Sequence, residues 1–422
     1  MISRVEVRRY RCLEHVEINI SQFAVLVGAN GAGKSTLLDV PRLLSDCLRQ
    51  RDITNAFTQR QQERPPRCGS LRELTFCGKG SDFCFAIEAI LPDHIANNVS
   101  INSPGKTKVA DTIRYELRLE VFNERQVQVK NEYLYTYSSK ASGNALPRNG
   151  SGIYGEHTGN DWRFAIIREY GGDAKIRSET RKGARSRDTK VESSMLALSR
   201  VMFESKEEFP AAIWFHDLIT QHYLFYQPDL AALQTALPPG ASGLLQANAH
   251  NLPQLVLNLQ KDIKRYALWQ EHVKTALPNI EQIEVIEREE DHHCYFRISY
   301  HGGYEVTSSG LSEGTLCILS LTVLPYISNL PDIVFLEEPE NGIHPQAIEA
   351  VLQSLSSVYE SQILVSSHSP VVLASVGLEQ VICARLNKDG AASIIPGYSH
   401  PQLKEWKGRV DLGALFAAGV LG

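Results

Sequence analysis

The sequence has no apolar run long enough to cross a bilayer. Its longest such run, from Leu316 to Ile327, is shorter than a membrane-spanning helix and contains Pro325. The N-terminal residues MISRVEVRRY lack the apolar core of a secretory signal peptide. These absences predict a soluble, cytoplasmic protein that does not contact membranes.

None of the eight cysteines forms a C-x-x-C pair, the spacing typical of many zinc and redox sites. A chain of 422 residues can bury a sizeable core without disulfides, so reduced thiols are expected. The run His292-His293-Cys294 is a weak metal candidate, because adjacent residues of a strand point to opposite faces.

An excess of positive charge is also missing. The formal net charge is −5, which argues against a protein that coats nucleic acid over its whole surface. The segment Lys175–Lys190 nevertheless carries seven Lys or Arg residues. A solvated loop is the simpler interpretation, and a local contact with the phosphate backbone of a nucleic acid is the alternative.

The hydrophobic pattern predicts an α/β protein in three parts. Residues 1–138 and 281–422 are predicted to form two lobes of strands and helices, with antiparallel patterns in the first. Residues 139–280 read as a compact, mainly helical insertion with a basic loop and helices over 192–222 and 251–277. Neither helix has enough heptads for a long coiled coil.

The segment GANGAGKS, from Gly28 to Ser35, fits the P-loop pattern G-x-x-x-x-G-K-[ST]. It follows an apolar strand pattern and opens a helical one, which is the context that the motif requires. Such a loop cradles phosphates with backbone N–H groups. Lys34 is expected to reach the β- and γ-phosphates of ATP and Ser35 to bind Mg²⁺. The expected nucleotide-binding residues here are Gly28, Asn30, Gly31, Gly33, Lys34, Ser35 and Thr36.

A second motif is an apolar strand pattern, Ile333–Leu336, that ends in two carboxylates. This is the Walker B arrangement. Glu337 is predicted to hold Mg²⁺, directly or through water, and Glu338 to polarise the attacking water as a general base. A solvated acidic turn is the alternative, and the P-loop in the same chain makes it the weaker one.

Two shorter motifs complete the series. Leu311-Ser-Glu-Gly-Thr315 precedes a long apolar helix pattern, and Ser366-Ser-His-Ser-Pro370 follows a strand pattern. Alone, the first is typical of a helix N-cap and the second of a structural histidine. Their order after the P-loop and around the Walker B strand gives both more weight.

In this order the motifs resemble the ABC-type ATPase superfamily, and within it the SMC/RecF-like and OLD-like AAA family ATPases of bacteria. Arg9-Tyr10-Arg11, FLEEPENGIHP, Asn251-Leu252 and the closing Leu412-Gly413 also match that group. The resemblance implies an ABC-type P-loop ATPase head, with a mixed sheet and an antiparallel side sheet. It implies an enzyme that binds ATP and Mg²⁺ and hydrolyses ATP.

The resemblance further implies a homodimer, or a higher even-numbered oligomer, with shared sites. Ser312 and Gly314 would contact the γ-phosphate of an ATP held mainly by a second subunit, and His368 would sense the γ-phosphate within its own subunit. The catalytic residues implied are Glu338, His368 and Lys34. His344 would lie in the dimer-facing D-loop.

Three features depart from the transporter pattern. Glu337 stands where those proteins have Asp, and Thr315 stands where their signature ends in Gln. The Q-loop has no clear position, although Gln59, Gln61 and Gln62 are candidates. The stretch between Lys34 and Ser312 is also far longer than in transporter subunits, and it lacks the long coiled coils of SMC proteins.

The residues after His368 are too few for the TOPRIM nuclease domain of OLD proteins. The resemblance therefore implies a switch ATPase of anti-phage defence that acts with a separately encoded nuclease or other effector and has no nuclease activity of its own. A RecF-like DNA-repair ATPase is the alternative, and a transporter subunit fits less well. The apolar tail Ala414–Leu421 is expected to pack on its own domain or on another chain.

Overall fold

The structure is a computed structural model that describes residues 1–61, 64–103, 106–139, 162–169, 172–180, 185–401, 403 and 412–417. Within these residues the strands are, in chain order, β1 Ile2–Tyr10, β2 Leu13–Asn19, β3 Phe23–Val27, β4 Asp82–Ile90, β5 Ser100–Ser103, β6 Lys106–Val109, β7 Thr112–Phe122, β8 Gln126–Tyr137, β9 Trp162–Arg168, β10 Ala174–Ile176, β11 Arg187–Thr189, β12 Tyr223–Phe225, β13 Ile280–Glu287, β14 Cys294–Tyr300, β15 Tyr304–Thr307, β16 Ile333–Glu337, β17 Gln362–Ser367, β18 Val381–Leu386 and β19 Ala392–Pro396.

The helices of the same residues are, in chain order, α1 Lys34–Arg49, α2 Asn55–Thr58, α3 Asp93–Ala96, α4 Leu198–Val201, α5 Pro210–Thr220, α6 Leu230–Leu233, α7 Leu252–Leu259, α8 Ile263–Ala276, α9 Glu313–Thr322, α10 Pro345–Ser356, α11 Pro370–Ala374 and α12 Leu412–Ala417. No helix in this described part of the chain combines the length and the apolar content that crossing a bilayer requires.

Two compact units interleave along the chain. The first consists of Met1–Ile20, Gly31–His222 and Ala384–Ile395. The second consists of Ser21–Asn30, Tyr223–Cys383 and Pro396–Gly422. The three domains expected from the sequence, 1–138, 139–280 and 281–422, stay a prediction.

The first unit is built on an eight-stranded antiparallel sheet with the order β11-β10-β9-β8-β7-β4-β1-β2. Helix α1 presents an apolar face in this unit, where Leu43, Leu44 and Cys47 line a small cavity together with Phe85 of β4 and Tyr115 of β7. All of these side chains are buried. The helix that begins at Lys34 is thus anchored by apolar burial along its length.

The segment predicted as mainly helical also contributes strands. β9 pairs antiparallel with β8, and β10 and β11 form a hairpin at the edge of the sheet. The helix predicted over 192–222 is wrong in extent, because only α4 and α5 are helical there. Pro210 begins α5, since proline fits the first turn of a helix but not its interior.

A buried ionic cluster crosses the antiparallel sheet. The Arg114 guanidinium on β7 donates to Glu6 at 2.9 Å, to Glu88 at 2.6 Å and to Glu116 at 2.6 Å. Burial alone would raise the pKa of Glu6, but the hydrogen bonds and charges of Arg114 and Arg4 outweigh it and lower that pKa to about 2. Glu6 therefore stays charged at neutral pH.

The second unit is built on a parallel sheet. Its strands follow the order β12-β16-β17-β3-β18, and each neighbouring pair is parallel. In a parallel sheet the carboxyl ends of the strands share one edge, where open α/β sheets bind their ligands.

Helices α7 and α8 replace the single helix predicted over 251–277. The chain breaks between them because the Asp262 side chain caps α8, accepting from the N–H of Arg265 at 3.1 Å. α8 then packs against α9 and α10 through the buried Trp269, which donates to Thr322 at 3.3 Å, and through His272, whose Nε2 lies 3.1 Å from the carbonyl of Ala350. The hairpin predicted over 284–300 is present as β13 and β14, which pair antiparallel.

Candidate functional site

Three predicted motifs meet at the carboxyl edge of the parallel sheet in the second unit. In the register of the sheet Glu337 of β16 lies beside Ser366 of β17, and Ser367 lies beside Val27 of β3. The next residues of these three adjacent strands are Glu338, His368 and Gly28. The sequence therefore brings the Walker B acids, the motif histidine and the first P-loop glycine to one edge of one sheet.

Glu338 and His368 are in direct contact. The Nδ1 atom of His368 lies 2.7 Å from Oε1 of Glu338, and both side chains are partly exposed. The other carboxylate oxygen of Glu338 accepts from the side-chain amide of Asn341 at 3.0 Å. A carboxylate and an imidazole at this distance can share a proton.

The backbone of Glu338 is held in an unusual conformation. Its φ is +48°, in the left-handed region that costs a non-glycine residue on the order of 1 kcal/mol. Its N–H donates to the carbonyl of Ser366 at 2.8 Å, which fixes the turn to the neighbouring strand. Backbone strain of this kind is concentrated at functional sites.

Glu337 and Ser35 have the chemistry expected of Mg²⁺ ligands. Glu337 is exposed at the end of β16, and Ser35 is exposed in the first turn of α1. Carboxylate and hydroxyl oxygens suit this hard cation, which usually completes its shell with waters and substrate phosphates. Among the described residues no group of three or more His, Cys, Asp or Glu side chains is arranged to hold a metal.

The histidines of the run His292–Cys294 have local contacts. His292 lies 2.8 Å from Glu287, and His293 lies 3.2 Å from Asp291. These exposed pairs explain the histidines as surface residues of the turn between β13 and β14.

The glycines that precede α1 are required by the backbone. Gly31 and Gly33 have φ values of +80° and +90°, which side-chain-bearing residues rarely adopt. A Cβ atom at Gly33 would also lie 3.0 Å from Cβ of Ala392 and 3.2 Å from Sγ of Cys12. The predicted P-loop therefore has the conformational demands of that motif.

Helix α1 begins at Lys34, which is 7% exposed. Its first turn contains no acidic residue, so no side chain there neutralises the positive end of the helix dipole. Such an N-terminus attracts phosphates. Thr36 occupies the same turn, next to Ser35.

The first unit holds a cleft of about 750 Å³ beside Gly33. Its lining includes Arg11 and Cys12 from the turn between β1 and β2, together with Arg67, Arg72, Cys77 and Gly390. No contiguous motif indicates this cleft, because its residues come from distant parts of the chain. Of the segment Arg9-Tyr10-Arg11, which carries part of the family resemblance, Arg11 lines the cleft.

Arg67 ties one wall of this cleft to the P-loop helix. Its guanidinium donates to Asp39 at 2.7 Å and pairs with Asp46 at 2.7 Å, and both acids belong to α1. Burial alone would lower the pKa of Arg67, but the two acids more than compensate and raise it above its usual value. Arg67 is therefore a structural cation rather than a residue available to a ligand.

The predicted signature motif begins helix α9. Ser312 is the N-cap, and its Oγ accepts from the N–H of Thr315 at 3.2 Å. A Cβ atom at Gly314 would lie 2.8 Å from the carbonyl oxygen of Gly342. Gly314 therefore lets α9 approach the loop after the Walker B strand, and the role of Ser312 and Gly314 across an interface stays a prediction.

The remaining predicted residues have local partners. His344 caps α10, with Nδ1 accepting from the N–H of Gln346 at 3.3 Å. Gln61 is buried and donates to the carbonyl of Asn55 at 2.7 Å, whereas Gln59 is exposed. Gln62 lies outside the described residues.

The basic segment is described in part. Arg181 and Lys182 lie outside the described residues, and five other cations are exposed on or beside the β10–β11 hairpin: Lys175, Arg177, Arg185, Arg187 and Lys190. Arg187 pairs with Glu204. The described cations thus form an exposed basic edge on the first unit.

The residues just before the apolar tail pack on their own unit, and where Ala414–Leu421 itself packs stays a prediction. Leu412 of α12 is buried. A Cβ atom at Gly413 would lie 2.3 Å from the carbonyl oxygen of Pro370 in α11, so only glycine permits this approach of the two helices. Residues 418–421 lie outside the described residues.

Two models of ATPase domain families match the chain. The model described as "AAA domain, putative AbiEii toxin, Type IV TA system" matches residues 156–374, just over half of the chain. The chain belongs to this family of AAA domains. The model described as "AAA ATPase domain" matches residues 1–66, which include the P-loop. No curated protein matches this chain.

Solved structures of SMC heads resemble this AAA protein. An SMC head bound to the C-winged-helix domain of ScpA has a TM-score of 0.50 at 15% identity, covering 93% of this chain and 97% of that one. The Smc head bound to the C-terminal domain of ScpA derived from Pyrococcus furiosus has a TM-score of 0.47 at 13% identity, with 93% and 95% covered. The SMC head from Thermotoga maritima has a TM-score of 0.44 at 11% identity, with 94% and 98% covered. The first of these likenesses shows the SMC-head-like α/β fold that the resemblance implied, with its large antiparallel sheet.

Proposed function

We propose that this AAA protein is an ATP-hydrolysing switch whose two subunits close on two ATP molecules and reopen after hydrolysis. The observation that carries the proposal is the convergence of Glu337–Glu338, His368 and the start of the P-loop at one edge of the parallel sheet. Contacts to the γ-phosphate would stabilise the closed dimer, and their loss after hydrolysis would let the subunits separate.

Each residue of this arrangement has a distinct role in the proposal. Lys34 and the backbone from Gly28 to Thr36 bind the phosphates, and Ser35 and Glu337 hold Mg²⁺. Glu338 takes the proton of the attacking water. His368, which contacts Glu338 at 2.7 Å, reports the γ-phosphate to that base.

The cleft beside Gly33 supports the proposal that the nucleoside of ATP binds next to the phosphates. Its volume of about 750 Å³ exceeds what a nucleoside needs. Arg11 and Arg72 on its wall provide positive charge and planar surfaces, which suit a ribose phosphate and a base.

We further propose a defence role in which the dimer acts with a separately encoded nuclease or other effector. The exposed basic edge formed by the β10–β11 hairpin supports a contact with nucleic acid, since it concentrates cations on an otherwise acidic chain. The acidic pair Glu337–Glu338 is assigned to ATP, which leaves it unavailable for a metal-dependent nuclease centre.

The experiment is phosphate release by the purified chain with ATP and Mg²⁺, run beside incubation with plasmid, single-stranded DNA and RNA. We expect ATP turnover that requires Mg²⁺ and Lys34, and intact nucleic acids. Absence of turnover in the presence of each nucleic acid would refute the ATPase proposal. Cleavage that survives Lys34→Ala and follows the protein through a sizing column would refute the separate effector.

A further inference from the structure

A third acid, Glu340, lies in the loop after the Walker B strand, and neither ATP nor Mg²⁺ chemistry needs it in the function proposed above. Its side chain is 9% exposed. One carboxylate oxygen, Oε1, bonds to the hydroxyl of Ser367. The other oxygen, Oε2, is buried and has no hydrogen-bond partner among the described residues.

Ser367 connects Glu340 to the turn that carries the motif histidine. Ser367 is fully buried at the end of β17. Its Oγ donates to Glu340 and accepts from the N–H of Ser369 at 3.0 Å. The two residues that flank His368 are therefore held through one hydroxyl, and that hydroxyl is held by Glu340.

The loop after the Walker B strand thus contacts the turn that carries His368 at two points. Glu338 contacts the His368 ring directly, and Glu340 fixes the backbone on both sides of it. We propose that Glu340 is a positioning residue for the proposed ATP hydrolysis, acting through Ser367 to hold His368 against Glu338. The inference rests on the proposed function, because it assigns Glu340 to the same reaction.

The surroundings of Glu340 favour a neutral side chain. Burial raises its pKa, while the Ser367 hydrogen bond and the charge of His368 lower it less. An ionised carboxylate with one buried, unpaired oxygen would be costly. A neutral acid can hold Ser367 without adding a further negative charge beside Glu338.

Four variants test this role. Glu340→Ala removes the anchor, Glu340→Gln keeps an oxygen acceptor in neutral form, and Ser367→Ala removes the link without touching the acid. Glu360→Ala, at an exposed glutamate of the same unit, is the matched control. For each variant kcat and KM for ATP are measured together with a melting curve and the Kd for ATP.

We expect Glu340→Ala and Ser367→Ala to lower kcat by about 10- to 100-fold, because a small displacement of a catalytic group has effects of this size. KM and Kd for ATP should stay within about two-fold of wild type, since the P-loop is unchanged. Glu340→Gln should recover most of kcat, and Glu360→Ala should match wild type. A merely structural role would not separate kcat from KM or be rescued by Gln.

Three results would overturn the inference. They are wild-type kcat in a folded Glu340→Ala, wild-type kcat in Ser367→Ala, and a Glu340→Gln variant as slow as Glu340→Ala. If Glu340→Ala does not fold, the kcat values of the Ser367→Ala and Glu340→Gln variants test the inference in its place. A wild-type chain without ATP turnover would instead refute the proposed function, whereas turnover that depends on Glu338 but not on Glu340 refutes this inference alone.

Discussion

At the scale of single residues, the two charged groups most specific to the proposed reaction have separable effects. In the proposed reaction Lys34 acts on phosphate binding, since it opens helix α1 after the P-loop glycines. Glu338 would act on water activation, since it follows the strand β16 and contacts His368.

We therefore expect Glu338→Gln to bind ATP with near wild-type affinity and to lose turnover by about 100-fold or more, the range attributed to general base catalysis. Lys34→Ala should instead lose ATP affinity. Equilibrium binding of a fluorescent ATP analogue and phosphate release separate the two effects. Equal phosphate release by wild type and Glu338→Gln would contradict the role given to Glu338.

The buried cluster of Arg114 and Glu6 allows a stability prediction with a defined pH dependence. The folded-state pKa of Glu6 is lowered to about 2, so its contribution to stability is complete well above pH 4.5 and disappears as the pH falls towards 2. The shift corresponds to about 3 kcal/mol at neutral pH.

Glu6→Gln should thus lower the free energy of unfolding by about this amount at pH 7. The difference between wild type and variant should shrink as the pH falls from about 4.5 to 3. Urea unfolding at several pH values measures both the difference in unfolding free energy at pH 7 and its dependence on pH. A difference that stays constant over this range would show that the charge of Glu6 does not stabilise the fold.

At the scale of elements, the packing of helix α9 on the loop after β16 is sensitive to the addition of a single methyl group. A Cβ atom at Gly314 would lie 2.8 Å from the Gly342 carbonyl oxygen, and this oxygen belongs to backbone that cannot rotate away. Helix α9 and the loop that carries Glu338 and Glu340 are therefore in close backbone contact.

Gly314→Ala should separate these elements and destabilise the chain by about 1–3 kcal/mol. We expect ATP binding to persist while phosphate release falls. Gly243→Ala is the control, because a Cβ atom there meets no atom within 4 Å. A Gly314→Ala variant with the melting temperature and turnover of the control would contradict this account.

The strands and helices also show how much of the fold could be predicted from the sequence alone. Strand β3, the P-loop and β16 were predictable because each combines an apolar run with a contiguous motif. Strand β9 and the break between α7 and α8 were not, because they depend on pairing with β8 and on the cap at Asp262. The sequence indicated the Gly28, Glu338 and His368 motifs but could not place them together.

The parts of the site that depend on distant contacts were harder to predict. Glu340 is visible as a third acid in FLEEPE, but its partner Ser367 becomes apparent only when β16 and β17 pair. The cleft lined by Cys12 and Cys77 has no contiguous motif. Long-range pairing decides both features.

At the scale of the whole molecule, the proposal requires ATP sites shared between subunits. Lys34 would act on the ATP of its own subunit, and Ser312 would act on that of its partner. Ser312 caps α9 in the folded chain, so its replacement by a long cation would block a phosphate without removing the P-loop. The two defects should therefore complement each other in a mixed dimer.

The central measurement is phosphate release by Ser312→Arg, Lys34→Ala and an equimolar mixture of the two after subunit exchange. Each variant alone should be inactive, because every site in its dimer lacks one required residue. One site of a mixed dimer keeps both Lys34 and Ser312, and we expect the mixture to recover a measurable part of wild-type turnover. Full activity of Ser312→Arg alone, or no recovery in a mixture shown to contain mixed dimers, would contradict the account.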